Sequence, residues 1–135
     1  MLYMLILTDL EMSYEGYSED FTIGIFKTKK QAEETALYYL KNIKGFCDYP
    51  CTYRIIEKNI NCPDTIKPDN VWIVQGWNKN ENFDEIDIIE STCFLTETEA
   101  NFELQKMRNT HLREEWTVNL WQVGKLDWCE GFVRA

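Results

Sequence analysis

Moved along itself by 68 residues, the chain matches its own pattern, and this constrains the fold more than any other feature. The stretch "IFKTKKQA" (25–32) meets "CFLTETEA" (93–100), so that Phe26 falls on Phe94, Thr28 on Thr96 and Ala32 on Ala100. Both stretches are capping boxes. In T-K-K-Q and T-E-T-E the threonine accepts from a free backbone N–H at a helix start, and Gln31 or Glu99 can reach back to the cap. Apolar residues then recur at helical spacing. They are Ala32, Ala36, Tyr39, Leu40 and Ile43 in the first copy, and Ala100, Leu104 and Met107 in the second, with His111 in the place of Ile43 on the same core-facing stripe.

The same shift lays "YMLIL" (3–7) on "VWIVQ" (71–75) without a gap, and both are strand-like. A second strand precedes each helix, "FTIGIF" (21–26) and "IDIIESTCF" (86–94). A third follows it, "CTYRIIEKNI" (51–60) and "EWTVNLWQV" (115–123). Each half therefore reads strand, strand, helix, strand. The expected fold is α+β, a tandem ββαβ repeat forming one mainly antiparallel sheet of about six strands with two helices on one face. A chain of 135 residues suits one domain. Its parts are a first unit (1–60), the proline-bearing linker "NCPDTIKPDN" (61–70), a second unit (71–125) and a tail (126–135).

Charge narrows the partners. The net charge of −9 is repelled by phosphate backbones and by anionic lipid, which disfavours nucleic acid and membrane surfaces and favours a basic protein. Aromatic residues make up 14% of the chain, too many for a disordered one. The opening "MLYMLIL" is too short for a membrane span and meets Asp9 and Glu11 at once, so a cytoplasmic setting is expected. Five cysteines, an odd number at irregular spacing, fit reduced thiols.

Catalytic templates are missing. There is no G-x-S-x-G, no glycine-rich phosphate loop, no H-E-x-x-H and no calcium loop. Cys47 and Cys51 flank a proline but lack the second pair that structural zinc takes, so no metal or cofactor is expected. "KGFCDYPC" (44–51) is better read as a helix end. Gly45 suits the left-handed position after the helix, Phe46 suits the apolar contact that accompanies it, and Pro50 stops the helix from resuming. His111, the single histidine, reads as the last turn of the second helix rather than as a ligand or base.

Two features remain. The hairpin connections "DLEMSYEGYSED" (9–20) and "WNKNENFDEID" (77–87) are acidic and studded with aromatics. Glu11, Tyr14, Glu15 and Tyr17 in the first, with Trp77, Phe83, Asp84 and Glu85 in the second, are the candidate contact residues for a basic partner, since aromatic side chains anchor interfaces. The other feature is the strands' lack of apolar–polar alternation, which calls for cover on both sheet faces. Trp72, Trp121, Trp128 and Phe132 are the candidates there. Either the tail crosses the face that the helices leave open, with Trp128 and Phe132 as plugs, or a second copy covers it in a homodimer.

The pattern G-I-F-x-T-x-x-x-A (24–32), G-F-x-x-x-P (45–50) and W-x-x-G-F (128–132) resembles a family of small bacterial and phage domains. The resemblance spans about residues 1–60 and the tail, and it implies no activity. Together these features point to a non-enzymatic acidic binding protein acting through protein–protein contact. A phage or mobile-element inhibitor, anti-defence factor or immunity factor is the sharper form of that reading. The alternative is a binder of a small, nucleotide-like ligand in aromatic pockets.

Overall fold

The computed structural model describes residues 1–14, 17–63 and 65–134. The elements are β1 (Leu2–Tyr14), β2 (Tyr17–Phe26), α1 (Lys29–Asn42), β3 (Cys51–Lys58), β4 (Asn70–Lys79), β5 (Glu85–Glu90), α2 (Glu97–Thr110) and β6 (Glu115–Gln122). The fold is α+β, and strand, strand, helix, strand occurs twice. The six strands divide into two three-stranded antiparallel sheets, β2-β1-β3 and β5-β4-β6, rather than joining in one. The physical reason is that each unit's first strand is central. Its hairpin partner and the strand after the helix take both its edges, which leaves the outer strands for a junction, and among the described residues no ladder joins them. Two compact units result, Met1–Lys58 with the segment from Val123 onward, and Asn59–Gln122.

Both helices start as the capping boxes require. Thr28 accepts from the Gln31 amide at 3.2 Å and Thr96 from the Glu99 amide at 3.2 Å. The Glu99 carboxylate accepts from the Thr96 hydroxyl instead of reaching the cap's backbone. The α1 face that carries Ala32, Ala36 and Tyr39 is buried, and it packs on Leu5, Leu7, Phe21, Ile23 and Phe26. On α2 the buried residues are Ala100 and Met107, against Val74 with Trp72, Phe94, Trp116 and Val118 around them. His111 does not join this stripe. It caps α2 in an extended conformation, its ring exposed and 2.9 Å from the Thr110 hydroxyl.

The gapless match of the first strands is off by one. The residues of β1 that face the helix are Tyr3, Leu5 and Leu7, whereas on β4 they are Trp72 and Val74. Tyr3 pairs with Phe26 as Trp72 bridges Phe94, so the connection between those partners is one residue shorter in the second unit. Since strand side chains alternate, a slip of one exchanges the two faces. The route from helix to third strand is also shorter there, residues 111–114 against 43–50.

Candidate functional site

The β4–β5 turn is organised by Asn80. Its side-chain oxygen accepts from the amides of Asn82 at 2.9 Å and Asp84 at 3.0 Å, and its Nδ2 donates to the Asp84 carboxylate at 3.2 Å. The Asn80 amide donates to the Asp84 carbonyl, and the Phe83 amide donates to the Asn80 carbonyl. Asparagine suits such a turn because its short side chain mimics one more peptide group. The closure forces Phe83 to φ 64°, where a bulky side chain is strained. The Phe83 ring is nonetheless 81% exposed. Asp84 is half-buried and Glu85, at the start of β5, is exposed beside it. Trp77 lies half-buried on β4, its indole Nε1 buried with no acceptor among the described residues.

The β1–β2 ribbon is built differently. β3 pairs with β1 only as far as Asp9, so Leu10–Tyr14 and the start of β2 extend past the sheet. Leu10, Met12 and Tyr14 are each about half exposed, and Tyr14 stacks on Tyr17 at 5.0 Å. Tyr17 donates to the Glu19 carboxylate. Glu15 lies outside the described residues. Read along the chain, 9–20 holds five carboxylates and no base, but the fold supplies two arginines from afar. Arg54 pairs with Asp20 at 3.2 Å. Arg134 grips Asp9 at 2.6 and 2.8 Å through one nitrogen and at 3.2 Å through another, and reaches Glu11 at 3.0 Å. Its guanidinium also lies 3.7 Å over the Tyr49 ring. The Asp9 bond and then the Glu11 bond raise the Arg134 pKa further, so it stays a cation throughout. Three of the ribbon's carboxylates are thus paired within the chain, by two arginines.

The tail packs, but on the helix side of the first sheet. Phe132 stacks on Phe21 at 4.7 Å and meets Phe46 edge-on at 4.9 Å, while Trp128 meets Phe21 edge-on at 4.8 Å. Phe21 and Phe46 belong to the core that α1 covers, so the expectation of plugs on the opposite face is corrected. α1 ends at Asn42, short of the sheet end where Asp9 pairs with Cys51, and Phe46 and Phe132 fill the remainder. Leu2, Met4 and Ile25, on the other face, are fully buried in the single chain. In the second unit Trp72 lines the α2 core, and Trp121 keeps a buried indole Nε1 with no acceptor among the described residues.

The tail runs along β2 as a strap. The Gly124 and Asp127 amides donate to the Ile25 and Ile23 carbonyls, and the Phe132 amide donates to Lys44. Tyr39, in the last turn of α1, donates its hydroxyl to the Asp127 carbonyl at 2.9 Å, and burial raises that phenol's pKa, with Cys129 adding to the effect. "KGFCDYPC" is thereby more than a helix end. Gly45 is left-handed as expected, at φ 86°, and a methyl there would lie 2.5 Å from the Phe132 ring. At Gly131, φ 76°, a methyl would run into the Lys44 carbonyl oxygen. The two glycines let the strap cross the end of the helix.

None of the five cysteines is in a disulfide. Burial pushes the Cys51 thiol up to about 11, with Asp9 adding and Arg134 opposing. Cys47 is raised as well, first by desolvation and then by Asp48. Both are poor thiolates at neutral pH. Among the described residues no group of three or more His, Cys, Asp or Glu is placed to hold a metal, and no helix is long and apolar enough to cross a membrane. Arg134, Tyr49 and Asn80 escaped the reading of the sequence. Asn80 carried a local signal, an Asn-rich turn, whereas the Arg134–Asp9 pair is 125 residues apart and carried none. Set against family models, curated proteins and solved structures, the chain matches none of them.

Proposed function

We propose that this protein is a non-enzymatic binding module that engages a basic protein partner through its β4–β5 turn, with Phe83 as the anchor. The observation that carries the reading is a strained, solvent-exposed phenylalanine on a turn that Asn80 holds rigid. A turn whose backbone is already held in place loses little backbone entropy when it binds. The flanking Glu81, Asp84 and Glu85 supply the charge that attracts a basic surface. The β1–β2 ribbon contributes Tyr14, Tyr17, Leu10 and Met12 as apolar contact, and less charge than its composition suggests. A phage or mobile-element inhibitor, cytoplasmic and homodimeric, is the form we favour, in keeping with the likeness to small bacterial and phage domains. The test is affinity capture of basic proteins by the intact chain and by Phe83→Ala. Loss of one captured band is expected with the variant, and equal capture by both would remove the reading. Light scattering checks the dimer.

A small-ligand binder is the second reading. It is favoured by an open groove of about 390 Å³ beside α1, lined by Phe26, Gln31, Glu34, Tyr38 and Leu126. Thermal-shift titration with nucleotides separates the two, because a bound ligand raises the melting temperature.

A further inference from the structure

We infer that the groove holding Phe132 and Arg134 is a recognition site for a peptide segment with an aromatic residue followed two positions later by arginine, and that the strap fills it in cis as a stand-in ligand. The site has two parts. One is an aromatic cage of Phe21, Phe46 and Tyr49 around a single ring. The other is the Asp9 carboxylate, whose side chain is 1% exposed and accepts from two guanidinium nitrogens, with Glu11 at the rim. With Arg134 seated the carboxylate is shielded from solvent on both oxygens, and a planar two-nitrogen donor suits such a contact better than an ammonium. The ligand chemistry is therefore written in the site itself.

The second unit supplies the reason to regard the occupant as separable. It completes the same ββαβ arrangement with only the short segment Asn59–Ile60 laid against Cys93 and, among the described residues, no aromatic-and-arginine latch, so the fold does not require the latch. Past Asp127, among the described residues, one backbone hydrogen bond ties the strap to the rest of the unit, Phe132 to Lys44. A cavity of about 270 Å³ adjoins the latch, lined by Asp9, Met12, Glu19, Phe132, Val133 and Arg134. It leaves room for an incoming segment to engage before the resident one has left. The inference is independent of the Phe83 turn, which lies in the other unit.

The probe is a dye-labelled peptide of sequence EGFVRA, titrated by fluorescence polarisation. Against the full chain carrying Phe132→Ala and Arg134→Ala, binding is expected to be at least about tenfold tighter than against the unaltered chain, where the cis segment competes. The peptide with alanine for arginine should bind the double variant at least about tenfold more weakly, having lost its charge-assisted bonds to Asp9. If the double variant loses its native near-ultraviolet signal, Arg134→Lys decides alone, since it keeps the charge and loosens the fork; tighter peptide binding than the unaltered chain supports the site. No binding by a folded variant, or equal binding of the arginine-free peptide, overturns the inference. So does a dimer of the unaltered chain that excess peptide dissociates, which would assign the groove to the tail of a second copy.

Discussion

Replacing Gly131 by alanine tests how the strap is held, and Gly124 provides the control. Both glycines are left-handed, at φ 76° and 86°. A methyl at Gly124 meets nothing within 4 Å, whereas at Gly131 it collides with the Lys44 carbonyl and Cβ. Gly124→Ala therefore reports the left-handed backbone cost alone, about 1–2 kcal/mol. Gly131→Ala carries the same cost and must also push the strap off the helix end. That removes the Phe132-to-Lys44 hydrogen bond, about 1 kcal/mol. It also unseats a half-buried phenylalanine, about half of the 3–5 kcal/mol typical of a fully buried ring. The sum is about 4 kcal/mol, bounded above by the free energy of strap attachment, because the chain can release the strap rather than unfold. For a domain of this size, each kcal/mol lowers the melting temperature by about 3–5 °C. Calorimetry should then place Gly124→Ala about 5 °C below the unaltered chain and Gly131→Ala roughly twice as far or more. Amide exchange at Phe132 should accelerate in Gly131→Ala and hold steady in Gly124→Ala. Equal losses in the two variants would refute the crossing of Gly131 over Lys44.

Further outcomes follow from single contacts. Phe83→Gly should raise stability by about 1 kcal/mol, because glycine accepts the left-handed turn and an exposed ring gives up little packing; chemical denaturation measures it, alongside loss of partner capture. Tyr39→Phe should cost about 1 kcal/mol in the same assay by removing the bond to the Asp127 carbonyl. Thr28→Ala and Thr96→Ala should each cost about 1 kcal/mol as lost helix caps. Stability should also fall as pH rises from about 9 to about 11, since the folded state holds the Cys51 proton that the unfolded chain releases near its ordinary value of 9.0. Its contribution is complete below pH 9, and Cys51→Ala should lessen the slope there, the remainder coming from Cys47 and Tyr39, whose protons the fold also holds.

The sequence by itself determined the local elements. Two threonine-led capping boxes and one apolar stripe behind each fixed the helices, because a cap needs only residues within one turn of it. Strand-like runs on either side fixed the order strand, strand, helix, strand, and Gly45 with Phe46 marked where α1 ends. Only the tertiary structure decided the register, since a connection shorter by one residue exchanges the faces of β4 relative to β1 and leaves no mark on composition. It also decided that the strands form two sheets, one centred on β1 and one on β4, since which outer edges meet is set by the path of the chain and not by local pattern. The acidity of the first hairpin was legible, but its pairing was not: Arg134 meets Asp9, Glu11 and Tyr49 only after the strap has crossed the end of α1. Such a pairing is set by the path of the backbone through space, and no periodicity along the chain encodes it.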